Sequence, residues 1–143
     1  MLVRLLYASR AAAALNPEEL HVVLRQAKAN NPAVGVTGVL CFCFNAGVFM
    51  QVLEGGRAQV SRLYNRIAQD PRHTNVELLS YEDIDERQFA GWSMGQVNMN
   101  RLNPALLLRY SETALLDPYA APGRASMALF KELVATASVV GPS

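Results

Sequence analysis

The chain has 143 residues, 51% of them hydrophobic and 17% charged, with a formal charge of +1. A domain of that size can bury roughly 70% of its unfolded surface, and so apolar and sparsely charged a composition excludes a disordered chain; the near-neutral charge argues against nucleic acid as a partner. No apolar run approaches the roughly 20 residues that cross a bilayer, and the opening MLVRLLYASR lacks the parts of a signal peptide, so a soluble cytoplasmic protein with no membrane partner is expected.

Residues 3–9 read as a strand with Val3, Leu5, Tyr7 and Ser9 on one face. Asn16, Pro17, Glu18 and Glu19 then form a strong helix start. Leu20, Val23, Leu24 and Ala27 follow at the spacing of one helix face. Asn30-Asn31-Pro32 is expected to stop that helix. A second strand over 38–44 is apolar on both faces, Asn45-Ala46-Gly47 reads as a hairpin turn, and a third strand over 48–54 returns antiparallel.

Gly55-Gly56 is expected to open a second helix, with Val60, Leu63, Tyr64, Ile67 and Ala68 as its buried stripe and Asp70-Pro71 as its end. A fourth strand is predicted over 76–81. A fifth is predicted over 92–99, with Trp92 and Met94 on one face. The acids between them (Glu82, Asp83, Asp85 and Glu86) read as a solvated turn. Residues 104–109 and 127–140 look helical, with a loop containing Pro118, Pro122 and Gly123 between them.

The order βαββαβ plus a strand predicts an α+β, ferredoxin-like fold with two helices on one face of the sheet. The strands over 38–44 and 48–54 need cover on their second face as well, and the C-terminal helices are the candidates within the chain. The expected division is 1–100 as a binding domain and 101–143 as a helical extension.

Chemistry-bearing motifs are scarce. No nucleophile stands beside a base, and there is no phosphate loop, zinc signature or dinucleotide fingerprint, so no enzyme is expected. Cys41 and Cys43 would sit about 6.6 Å apart with parallel side chains in a strand, a poor disulfide geometry. His21 and His73 are the only histidines, so no metal site is expected. Polar residues within apolar strands stand out instead. A buried Gln51 amide must satisfy its oxygen and both hydrogens, and in this fold the Tyr7 hydroxyl lies within reach. Arg62 and Arg66, four apart on the second helix, read as a solvated face or a phosphate contact.

Five stretches, in order, resemble the BLUF domain, a blue-light sensor that uses flavin. They are Tyr7-Ala8-Ser9, Asn31 with Thr37-Gly38, Phe49-Met50-Gln51-Val52-Leu53-Glu54-Gly55, Asp70-Pro71-Arg72-His73, and Phe89 through Trp92 to Met94. Leu108-Arg109-Tyr110-Ser111 and Phe130-Lys131-Glu132-Leu133 are similar to the tails of short, stand-alone members. The resemblance implies non-covalent FAD, with FMN as the alternative, lying between the two helices against Val23, Ala27 and Ile67. Asn31 and Asn30 would bond the C4 and C2 sides of the ring. Arg66, Asp70 and His73 would lie near the ribityl-phosphate end. Gln51 would bridge Tyr7 and the ring, and Ser9, Trp92 and Met94 would tune that network. It further implies that light drives an electron and a proton from Tyr7 through Gln51, leaving Gln51 rotated or tautomerised. Output would pass to an unidentified downstream protein or through a homo-oligomer. A ferredoxin-like ligand- or RNA-binding module, or a small acyl-phosphate hydrolase, is the alternative; the first needs exposed strand aromatics and the second a glycine-bearing loop after the first strand.

Overall fold

A strand that is apolar on both faces needs two covers, and this chain supplies both. The computed structural model describes residues 1–13, 16–43, 47–97, 103–114, 117–136 and 139–140. In chain order the elements are β1 (Leu2–Ala11), α1 (Pro17–Val34), β2 (Thr37–Cys43), β3 (Val48–Gly56), α2 (Arg57–Gln69), β4 (His73–Ile84), β5 (Gly95–Val97), α3 (Pro104–Leu108), α4 (Gly123–Ala135) and β6 (Val139–Val140). The sheet runs β4-β1-β3-β2-β5-β6. The first four strands in that list are the ferredoxin-like core, antiparallel throughout. β5 adds parallel to β2, and β6 adds antiparallel to β5.

Side-chain alternation sorts the core into two layers. Val3, Leu5, Tyr7, Leu40, Phe49 and Leu53 pack on one side against Leu20 and Leu24 of α1 and Val60 of α2. Leu6, Val39, Cys41, Met50, Val52 and Val97 pack on the other against Leu107, Met127, Leu129, Phe130 and Leu133 of the C-terminal helices. Covered on both sides, the middle strands leave no open aromatic platform of the kind an RNA-binding sheet uses; Phe42 and Phe49 are buried. Among the described residues, no helix is long and apolar enough to cross a membrane.

Several elements depart from the sequence reading for identifiable reasons. Asn16 caps α1 as expected, its side chain accepting the Glu19 N–H at 2.8 Å. The helix does not stop at 30–32. It continues through Pro32 to Gly35, whose left-handed φ of 71° and N–H bonds to the Asn31 and Pro32 carbonyls end it. Asn30 and Asn31 are therefore helical. Ala68, expected in the buried stripe of α2, is exposed. β4 is longer than predicted, and two of the acids read as solvated are paired. Glu82 meets Arg4 at 2.8 Å and Asp83 meets Arg57 at 3.1 Å.

β5 starts at Gly95 rather than 92, because residues 92–94 form a bend. α4 begins four residues early at Gly123 and ends at Ala135, so Val140 is in a strand and not in that helix. Two adjacent valines suit a strand better than a helix. Gly123 sits so close to the edge strand that a Cβ there would lie 1.8 Å from the Leu79 carbonyl oxygen. The Asn45-Ala46 part of the hairpin turn, Phe44, Met99 and Ala137 lie outside the described residues, as does the Cys43 side chain.

Candidate functional site

Between α1 and α2, floored by β1, β2 and β3, lies a pocket of about 500 Å³. That is within the range of small-molecule sites, roughly 300–1,000 Å³. Its walls are apolar: Val23, Ala27 and Val34 from α1, Leu63 and Ile67 from α2, Leu40 and Phe49 from the sheet. These residues leave α2 with Val60 as its one fully buried side chain, since Leu63 and Ile67 face the pocket.

The inner end is polar and tightly bonded. Tyr7 and Gln51 are direct cross-strand partners of β1 and β3. The Tyr7 hydroxyl donates to Gln51 Oε1 at 2.5 Å, and Gln51 Nε2 donates to Met94 Sδ at 3.2 Å. Tyr7, Gln51 and Met94 are all buried. Burial pushes the Tyr7 phenol far above its ordinary pKa of 10.0, with Tyr64 and Asp70 adding to the shift, so the hydroxyl keeps its proton and acts as donor. Asn31, also buried, donates from Nδ2 to the Ser93 carbonyl at 3.1 Å. No buried side-chain polar atom among the described residues lacks a partner.

Charged groups line the pocket as well. Arg72 forks onto Asp70 through Nε and Nη2, the latter at 2.6 Å. This contact holds the Asp70 carboxyl below its ordinary value. Arg66 and His73 also line the pocket, and the His73 ring lies 6.4 Å from that of Tyr7 and 4.7 Å from that of Phe49. His73 Nδ1 shares a 2.7 Å hydrogen bond with the buried Ser9 Oγ. Burial lowers the His73 pKa, more than Asp70 opposes it, and keeps the ring neutral.

The structure thus brings Asn30, Asn31, Gln51, Val23, Ala27, Ile67, Arg66, Asp70 and His73 around one pocket, together with Tyr7. Ser9 lies behind His73 and Met94 behind Gln51. Arg62 is exposed and is not part of the lining. Trp92 is elsewhere. The bend at 92–94 sends it to the core beneath the C-terminal helices, while Met94 joins the pocket-side core, so the two do not share a face.

Besides the further wall residues Val34, Leu40, Phe49 and Leu63, three features were missed from sequence. Arg72 lies in the same Asp-Pro-Arg-His string as two chosen residues and was findable there. Gln26, one position before Ala27, lines the pocket as well. The third is an ion pair between Arg4 and Glu54, fifty positions apart, with no local signal.

A family profile described as "Sensors of blue-light using FAD" (BLUF) matches residues 2–95. The chain belongs to the BLUF family. It is 35% identical over 94 residues to the photoactivated adenylate cyclase subunit beta of Euglena longa, covering 65% of this chain and 11% of that protein. It is 32% identical over 108 residues to the blue light- and temperature-regulated antirepressor BluF of Escherichia coli K12, covering 74% and 26%. The chain therefore spans only a small part of the length of these curated relatives. Among solved structures, BlsA in its photo-activated state superposes with a TM-score of 0.81 at 30% identity, over 100% of this chain and 99% of that one. BlrB, a BLUF protein in its dark state, gives 0.78 at 28% identity over 95% and 96%.

This BLUF chain is a blue-light sensor that uses flavin, and FAD is the flavin that the family description names. The stretch matched in the cyclases is the sensor, not the enzyme. The pocket fits a flavin: apolar walls for a flat ring, amides for its polar edge, and cations for an anionic tail.

Proposed function

We propose that Tyr7, Gln51 and Met94 are the photoswitch of this BLUF protein and that the pocket between α1 and α2 seats the flavin. The observation that carries the reading is the Tyr7–Gln51–Met94 chain at 2.5 and 3.2 Å on the pocket's inner wall. Val23, Ala27 and Ile67 would clasp the ring, Asn30 and Asn31 would bond its polar edge, and Arg66, Asp70, Arg72 and His73 would hold the ribityl-phosphate end. Bound flavin supplies light absorption and an acceptor for an electron. Tyr7 holds the proton at its hydroxyl, already aimed at Gln51 Oε1.

The Gln51 amide is poised between two discrete arrangements. As it stands, its oxygen accepts from Tyr7 and its NH2 reaches a sulfur, a weak acceptor. Turning the amide would present its NH2 to the Tyr7 oxygen and its oxygen to the Met94 side, and this is the rearrangement that Ser9, bonded to His73, and Trp92, on the opposite face of the sheet, would tune at a distance. Residues 1–100 would form the sensor and 101–143 an extension that passes the change to an unidentified signalling protein or a second copy of the chain. The large apolar residues of α4 (Met127, Leu129, Phe130 and Leu133) are spent on this chain's own core. A partner would thus meet a more polar face of α4 carrying Arg124 and Lys131. A cytoplasmic setting is part of this proposal.

The test is an absorption spectrum of purified protein supplied with FAD, and separately FMN, before and after blue light. A small red shift that reverses in the dark is expected. A colourless protein, or bleaching toward a thiol-adduct spectrum, would refute the reading.

A further inference from the structure

Residues 85–94 connect β4 to β5 and cross the sheet without regular secondary structure. What fixes their path is a series of side-chain anchors, the deepest being Glu54 near the end of β3. Glu54 is fully buried, on the face away from the pocket. Its Oε2 accepts from Arg4 Nε at 2.8 Å and from the Gln88 N–H at 3.0 Å, and its Oε1 accepts from the Phe89 N–H at 2.6 Å. Arg4 also reaches Glu82 of β4 at 2.8 Å, and its guanidinium lies 5.8 Å from the centre of the Phe89 ring. One carboxylate therefore joins β1, β3 and the crossing segment, with β4 tied in through the same arginine.

A second anchor lies at the other side of the segment. Arg87 donates to the Gly35 carbonyl at 2.7 Å and to Thr37 Oγ1 at 3.0 Å, where α1 passes into β2. Beyond these anchors the segment runs to the Trp92 carbonyl, which accepts the Gly38 N–H at 3.0 Å, to the Ser93 carbonyl, which accepts from Asn31 Nδ2 at 3.1 Å, and then to Met94 against Gln51. A buried ion pair is a poor device for stability, since apolar side chains of the same volume often serve as well. Its virtue is that several donors must converge at one point.

We propose that Glu54, held by Arg4, is a positioning residue for the photoswitch: it pins Gln88 and Phe89, and through that segment fixes where Met94 stands against Gln51. The proposal rests on the switch reading given above. A glutamine at 54 keeps the size but offers one acceptor oxygen where three donors now share two. Its NH2 would face either Arg4 or the Phe89 N–H. The segment should then loosen, and Met94 should constrain Gln51 less.

The experiment uses the flavin-loaded full chain with 13C-methyl-labelled methionine, comparing wild type, Glu54→Gln and Arg87→Ala. Arg57→Ala, which breaks the exposed Arg57–Asp83 pair away from this segment, is the control. In Glu54→Gln the dark-state Met94 methyl resonance should shift, flavin occupancy should stay at the wild-type level, and dark recovery should be about threefold faster, equivalent to roughly 0.6 kcal/mol of barrier. Arg87→Ala should move the same resonance in the same direction by less, and it carries the test if Glu54→Gln does not fold. A folded variant with wild-type Met94 resonance and wild-type recovery would overturn the proposal. A wild-type protein without a light-induced red shift would overturn the switch reading instead, while the Met94 resonance would still judge the anchor.

Discussion

Replacing Tyr7 by phenylalanine removes one oxygen and little else. The ring of Tyr7 packs 5.7 Å from the Tyr64 ring and 6.4 Å from His73, and phenylalanine preserves both contacts. The lost hydroxyl was the donor to Gln51 Oε1, at 2.5 Å and in a site where Tyr7 is 1% and Gln51 6% exposed. Water therefore has little access to replace it. An acceptor orphaned in this way costs about 2 kcal/mol, which for a chain of this length lowers Tm by roughly 4–8 °C. The phenylalanine ring also has no phenolic proton to give. The assay is a paired measurement on dark flavin-loaded protein: a thermal melt followed by circular dichroism, and absorption difference spectra under blue light. The melting point should fall by the stated amount and the reversible red shift should vanish, with flavin still bound. A full-sized red shift in Tyr7→Phe would show that the donor is elsewhere, and an unchanged melting point would show that the hydroxyl bond contributes nothing to the dark fold.

Acid should destabilise the protein through His73. Its folded pKa is depressed below the ordinary 6.5, so its contribution is complete above that pH and is lost as pH falls through the folded value; urea midpoints between pH 7 and pH 5 should decline, and the decline should flatten in His73→Gln. Asp70 acts in the same direction lower down, its contribution complete above the ordinary 3.8 and lost as pH drops through its depressed folded value. Gly123→Ala drives a Cβ against the Leu79 backbone oxygen at 1.8 Å, so a cost of about 1–3 kcal/mol is expected, visible as a lower melting point and protease cleavage within residues 117–136. Asn31→Ala should reduce flavin occupancy, whereas Trp92→Ala, in the core beneath the C-terminal helices, should leave occupancy intact and alter dark recovery; equal occupancy with unchanged recovery would contradict those roles. Deleting residues 126–143 uncovers Met50 and Val52, and size-exclusion chromatography should show aggregation or a changed oligomeric state.

The sheet was readable because its signals are local. Alternation places Tyr7 and Val52 on opposite faces, and two strands apolar on both faces announce a second cover, which α4 provides. Fold order alone made the first and third strands neighbours and put Tyr7 within reach of Gln51, while their direct opposition is set by the register. What stayed hidden depends on contacts between distant residues. Pro32 looks like a stop until the left-handed Gly35 is seen to take over that task three residues later. The side on which Trp92 falls is set by a bend without periodicity, and the strand expected there would have placed it with Met94. The burial of Glu54 depends on Arg4 and on two backbone N–H groups, and backbone donors leave no trace in residue type.

The sheet between pocket and tail is a wall a single chain thick. Gln51 looks into one chamber, and its chain neighbours Met50 and Val52, whose Cα atoms lie about 3.8 Å away, look into the other, among Phe130 and Leu133. A shift of the backbone at Gln51 would therefore act at once on side chains in the chamber lined by the C-terminal helices. A change passed on in this way would have no long corridor to travel and would need no moving domain to reach the outside of the protein.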